Sequence, residues 1–80
     1  MSLAARKNKN YPAIVKVHVG KNQIISFMSD GREVAIPTAW FTRLANATTK
    51  QLTNFQISPG GYGVHWPEID EDISIKAFLD

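Results

Sequence analysis

Residues 13–37, AIVKVHVGKNQIISFMSDGREVAIP, decide the fold class. Three runs rich in β-branched residues are separated by short turn signals. In the first run, alternation puts Val15, Val17 and Val19 on one face and Ile14, Lys16 and His18 on the other. Gly20-Lys21-Asn22 reads as a turn. In QIISFM, Ile25 and Phe27 oppose Ile24, Ser26 and Met28. Ser29-Asp30-Gly31-Arg32 is a tight-turn signal, because Asp-Gly supplies the positive φ angles of a hairpin. GREVAIP is a third strand, closed by Pro37. Sequential strands on short turns predict an antiparallel meander.

Downstream the period changes. PTAWFTRLANA opens on Pro37 and Thr38, a helix-start pair, and places Trp40, Phe41, Leu44 and Ala45 on one helical stripe with Ala47 near its edge. Asn46 is the expected end. Thr48 with Gln51 three residues later matches a capping box, and Leu52 and Phe55 then share one face of a short second helix. FQIS and YGVHW flank Ser58-Pro59-Gly60-Gly61, as a hairpin or a tight bend. Along the second arm Tyr62, Val64 and Trp66 share a face, Gly63 and His65 take the other, and Pro67 stops the strand. Residues 73–79 read either as a last short strand or as a helical turn that Ser74 caps and that carries Ile75, Phe78 and Leu79. The expected fold is α+β in two layers: a small antiparallel sheet of three to five strands covered by two short helices. Residues 1–12 are expected to form a flexible tail, and 13–80 a single domain.

Composition narrows the function classes. Eighty residues suffice for one small core, and 44% hydrophobic content is that of a globular chain. Cysteine is absent, which removes disulfides, thiolate nucleophiles and cysteine-held metal clusters. No apolar run approaches the roughly 18 residues of a membrane span. MSLAARKNKN lacks the apolar stretch of a signal peptide, so a cytoplasmic location is expected. The net charge of +2 conceals a split: residues 1–50 carry +6 and residues 51–80 carry −4. The acids concentrate at Glu68, Asp70, Glu71 and Asp72. Such a chain suits a charged partner or a second copy of itself.

Several runs together resemble a known family. They are Asp30-Gly31-Arg32, Pro37, Trp40-Phe41, Arg43-Leu44, Ala47-Thr48, Gly60-Tyr62-Gly63, His65-Trp66-Pro67 and Asp70-Glu71-Asp72-Ile73-Ser74. The pattern is similar to that of the small bacterial family catalogued as domain of unknown function 2442, over roughly residues 13–79. That family has no established activity. Its members occur alone or fused to helix-turn-helix segments, and their genes often neighbour those of another small family in a toxin–antitoxin-like arrangement. The resemblance therefore implies a partner-binding or regulatory role rather than a catalytic one. Residues 1–80 contain no DNA-reading helix, so direct operator recognition is not expected.

The residues between Gly60 and Asp72 carry the remaining chemistry. His65 with Glu68, Asp70 or Asp72 forms the beginnings of a general base, but catalysis also needs a nucleophile and an oxyanion pocket, and Ser58 and Tyr62 sit in no recognisable elbow. The alternative is that His65 bonds a neighbouring acid and fixes the bend. His18 and His65 lie on separate strands, and Asp70-Glu71-Asp72 lacks the spacing of a calcium loop, so no metal is expected. Gly60-Gly61-Tyr62-Gly63 matches no phosphate-binding pattern and no cofactor is expected. Gly60 and Gly61 are turn residues, and Gly63 leaves room for a bulky group such as Trp40. Lys16, Lys21, Arg32 and Lys50 offer a weaker case for nucleic acid, because Tyr62 and Trp66 adjoin acids that repel phosphate.

The function expected is a non-enzymatic protein-binding module, the regulatory or antitoxin-like half of a two-gene pair. Its surface would comprise Tyr62, His65, Trp66, Glu68, Asp70 and Asp72, facing a cationic small protein. Gly31, Pro37, Trp40, Phe41, Arg43, Leu44, Gly60, Gly61, Gly63 and Pro67 are assigned structural roles, with Trp40 in the core and Arg43 fastening the acidic loop to the helix. Two alternatives stand beside this reading. One is a small hydrolase or nucleotide-handling enzyme using His65 with Asp70 or Asp72; the other is a nucleic-acid accessory using the basic half. Exposed sheet edges also leave room for a homodimer.

Overall fold

A computed structural model describes residues 11–79. Most of the expected tail, residues 1–10, lies outside them. Strand β1 (Ile14–Val19), β2 (Gln23–Met28) and β3 (Glu33–Pro37) form an antiparallel meander. A 3-10 turn (Thr38–Trp40), α1 (Thr42–Ala45) and α2 (Thr49–Thr53) follow. Then come β4 (Gln56–Ile57), a second 3-10 turn (Pro59–Gly61), β5 (Gly63–Trp66), β6 (Glu71–Ser74) and α3 (Ile75–Leu79). Strands β4, β5 and β6 make a second antiparallel sheet. The fold is α+β with antiparallel strands and short helices, but the described residues hold two three-stranded sheets and three α-helices where one sheet and two helices were expected. Both alternatives for residues 73–79 occur in succession: the strand ends at Ser74 and the helix begins at Ile75.

The first sheet shows how a single extra residue overrides alternation. Ile14 pairs with Met28 and Lys16 with Phe27, so β1 advances two residues while β2 advances one. Val15 is the extra residue of a β-bulge. Beyond it the phase changes, and Ile14 and Val17 are buried while Val15 is 59% exposed. The expected Val15/Val17/Val19 face is therefore broken at its first member. In β2 the expected division holds, with Ile24, Ser26 and Met28 buried. Ser26 donates from Oγ to the Val34 carbonyl at 3.4 Å, which gives its buried hydroxyl a partner.

The β2–β3 turn works through glycine and a side chain rather than through two positive φ angles. Gly31 takes φ 94° and donates its N–H to the Met28 carbonyl at 3.0 Å. The Asp30 carboxylate instead accepts from the Arg32 backbone N–H at 3.1 Å and from Arg32 Nε at 2.9 Å. These hydrogen bonds hold the Asp30 carboxyl below the ordinary aspartate range.

The expected helix at 38–47 is interrupted. Phe41 is extended, with φ −127° and ψ 112°, and separates the 3-10 turn from a four-residue α1. Only Leu44 of the predicted stripe is buried; Phe41 is half-buried and Trp40 is 67% exposed. Trp40 is thus not a core residue. The i, i+4 spacing from Trp40 to Leu44 gives a common face only in a continuous helix. The capping box at α2 is present: Thr48 Oγ1 accepts from Gln51 N–H at 3.1 Å, and Gln51 Oε1 accepts from Thr48 N–H at 3.0 Å. Phe55 lies beyond the helix and is half-buried.

One apolar cluster joins both sheets. Ile14, Val17, Ile24, Met28 and Ile36 from the first meet Val64, Trp66 and Ile73 from the second, together with Leu44, Leu52, Ile75 and Phe78 from the helices. The sheets lie against each other where β1 approaches β4 and the turn at Pro59–Gly61, and α3 lies against β3. Gly61 sits on the first of these seams. A Cβ there would fall 2.6 Å from the Ile14 nitrogen and 2.8 Å from its carbonyl oxygen. Its φ of 73° also favours glycine.

Candidate functional site

The second sheet sorts the residues of GGYGVHWPEID onto different surfaces. Gly63, Val64 and Trp66 are buried, His65 is half-buried, and Tyr62 is 72% exposed. Tyr62 does not share a face with Val64 and Trp66, because it caps the 3-10 turn in the αR region with φ −78° and ψ −18°. Its carbonyl accepts the Ile75 N–H at 2.7 Å, which fixes the backbone beneath the ring. The ring itself folds back over Gly60: a Cβ at Gly60 would lie 2.7 Å from its Cε2.

Trp66, a partner-facing candidate whose other reading is a cap on the small core, is fully buried. Its Nε1–H donates to the Leu52 carbonyl at 2.9 Å, and its ring meets Phe55 at 6.3 Å between centroids. The last carbonyls of a helix have no intrahelical donor, so the indole supplies one to α2. Trp66 thereby ties α2 to the second sheet. Gly63 also differs from expectation. A Cβ there would meet the Ile73 carbonyl oxygen at 2.7 Å, so the close approach is to the neighbouring strand and not to Trp40.

His65 lies opposite Gln56 on one side and Asp72 on the other, in a row across the outer face of the second sheet. Its Nδ1 is 2.7 Å from Asp72 Oδ1. This is a cross-strand contact, set by register, rather than the closing of a loop. Beside it Ser58, Tyr62, Gly63, Val64, Asp72, Ile73 and Ser74 surround an open depression of about 180 Å³.

Glu68 and Asp70 are turned to a different task. Glu68 Oε2 accepts from Asn54 Nδ2 at 2.7 Å. Arg43 Nη1 donates to the Asp70 carbonyl oxygen and lies 3.9 Å from its Oδ2. Both residues belong to the turn between β5 and β6, so these contacts hold that turn to the residues around α1 and α2. Asp70 has φ 51°, in the left-handed region that aspartate tolerates better than most residues. Pro67 is exposed at the start of the same turn. The six candidates thus divide: Tyr62, His65 and Asp72 surround or adjoin the depression, Glu68 and Asp70 fasten the turn, and Trp66 is core. Ser58 and Ser74, which line the depression, were not singled out as a pair; their shared position emerges only from the β4–β5–β6 register. Among the described residues no group of three or more His, Asp or Glu side chains is gathered as a metal ion would require.

Fold and site together define a small α+β protein in which, among the described residues, an Asp–His pair flanks an open depression. The chain belongs to the family described as protein of unknown function, DUF2442, whose model matches residues 14–80. It is similar to a crystal structure of a protein of unknown function from Rhodospirillum rubrum, at 28% identity and a TM-score of 0.77, over 88% of this chain and 87% of that one. It is also similar to a solution NMR structure of an uncharacterised protein from Chromobacterium violaceum, at 27% identity and a TM-score of 0.74. That likeness covers 86% of this chain and 65% of the other. No curated protein matches the chain. Among the described residues no helix is long and apolar enough to cross a membrane.

Proposed function

We propose that this chain is a non-catalytic protein-binding module that presents the outer face of β4–β5–β6 to a cationic protein segment. The observation that carries the reading is the placement of Tyr62 and Asp72 around one open depression, with His65 bonded to Asp72. An exposed tyrosine offers a large contact area at low conformational cost, and the nearby carboxylate gives a lysine or arginine a partner. Glu68 and Asp70 extend the negative potential along the same late segment while holding its turn in place. The partner that fits this chemistry is a small basic protein, in keeping with the regulatory half of a two-gene pair. A cytoplasmic setting belongs to the same reading.

Co-expression with the product of the adjacent gene tests it. The expected result is that the two co-purify and that Tyr62→Ala combined with Asp72→Asn abolishes the complex without lowering the thermal midpoint. Loss of the complex only in variants that also unfold, or no complex at all, contradicts the proposal.

A second reading has one observation in its favour. His65 and Asp72 form the acid–base half of a hydrolytic site, and Ser58 and Ser74 line the neighbouring depression. Among the described residues neither serine hydroxyl is hydrogen-bonded to His65. Turnover of an activated ester that His65→Gln abolishes would favour the hydrolase over the binding module.

A further inference from the structure

The outer face of the first sheet carries a second surface, independent of the depression. Register places Lys16, Phe27 and Glu33 in one row across β1, β2 and β3, and His18, Ile25 and Ala35 in the next. Val15, pushed outward by the bulge, adds an exposed apolar side chain at the β1 margin. Ile25 and Phe27 are only half-buried and, unlike Val19 and Val34, do not pack against the core. The face is therefore an apolar spine between a basic margin and an acidic one. Lys16 Nζ lies 5.4 Å from the Phe27 ring centroid. Neither Lys16 nor Glu33 forms an ion pair among the described residues.

We infer that this face pairs with the same face of a second copy, about a two-fold axis running along the strands. Charge selects both the occupant and the axis. Rotation about the strand direction sets β1 of one copy over β3 of the other. Lys16 then meets Glu33 of the second copy on both margins, and Phe27 and Ile25 meet their own counterparts at the centre. A two-fold axis across the strands instead stacks β1 on β1 and β3 on β3. That arrangement leaves Lys16 beside a histidine-bearing basic margin and Glu33 without a cation. Packed sheets lie about 10 Å apart, a gap that a lysine and a glutamate span end to end while the apolar spine fills the middle. The face is only three short strands wide, which puts the contact at the small end of specific interfaces. The dimer is accordingly concentration-dependent, and long side chains rather than area set its register.

Charge exchange tests this against other occupants of the face. Sedimentation of the full chain from about 10 µM to about 1 mM is expected to show a monomer–dimer equilibrium. Lys16→Glu alone, or Glu33→Lys alone, places like charges at both margins and is expected to weaken dimerisation by about ten- to a hundredfold. The double exchange Lys16→Glu with Glu33→Lys is expected to restore it to within about threefold. Phe27→Asp is expected to abolish the dimer while leaving the circular dichroism spectrum unchanged. A chain that stays monomeric throughout overturns the inference. So does a dimer that neither single exchange weakens, or a double exchange that fails to recover.

Discussion

The two tryptophans have opposite fates, and the difference is local. Trp66 follows strand alternation onto the inner face and finds the carbonyl of Leu52 for its indole. Trp40 ends a 3-10 turn, and the extended Phe41 after it swings the ring into solvent. Trp66→Phe keeps most of the apolar volume but leaves a buried carbonyl unpaired, so it should cost about 1–3 kcal/mol in urea unfolding. Trp40→Phe should change stability by no more than about 0.5 kcal/mol. Asp30 supplies a residue-scale test in pH. Its folded carboxyl is held down chiefly by the hydrogen bonds from Arg32. A depressed carboxyl stabilises fully above its unfolded pKa, and that contribution disappears as pH falls through the folded value. An NMR titration should therefore place the Asp30 midpoint below that of aspartate in a short peptide, and Arg32→Ala should return it toward the peptide value.

Elements were legible where local signals suffice. The meander, the capping box at Thr48 and the close of α1 at Asn46 each rest on interactions within a few residues, and each is present. The misses have physical causes that local pattern does not carry. The bulge at Val15 is a property of the β1–β2 pairing, and it parts Val15 from the face that alternation gives it with Val17 and Val19. The two sheets meet at the seam at Gly61, where backbone far apart in the sequence comes close, which no local pattern records. In the sequence Gly61 and Gly31 are both turn glycines, but their surroundings differ. Gly31 has open space where a Cβ would sit, whereas Gly61 faces the Ile14 backbone. Gly31→Ala should cost about 1 kcal/mol, for the positive φ alone. Gly61→Ala should cost at least about 3 kcal/mol, since strain and a backbone clash act together. Equal costs for the two, measured by thermal unfolding, would refute the close seam.

At the scale of the molecule, residues 60–72 meet two demands at once. Trp66 secures α2 and the core, while Glu68 and Asp70 hold the following turn to Asn54 and Arg43. That leaves Tyr62, His65 and Asp72 on a braced segment, the rigidity that the proposed binding surface would need. The candidate site was half legible: its residue types stood out, but which of them face outward required the β4–β5–β6 register and the αR turn at Tyr62. The most direct measurement is a ¹⁵N-edited NMR titration of this chain with the adjacent gene's product. The expected result is that shifts cluster at Gln56, Ser58, Tyr62, His65, Asp72 and Ser74, with the β1–β3 meander unaffected. Shifts centred instead on Lys16, Lys21 and Arg32, or none at a saturating concentration of the partner, would contradict the placement of the binding surface on the second sheet.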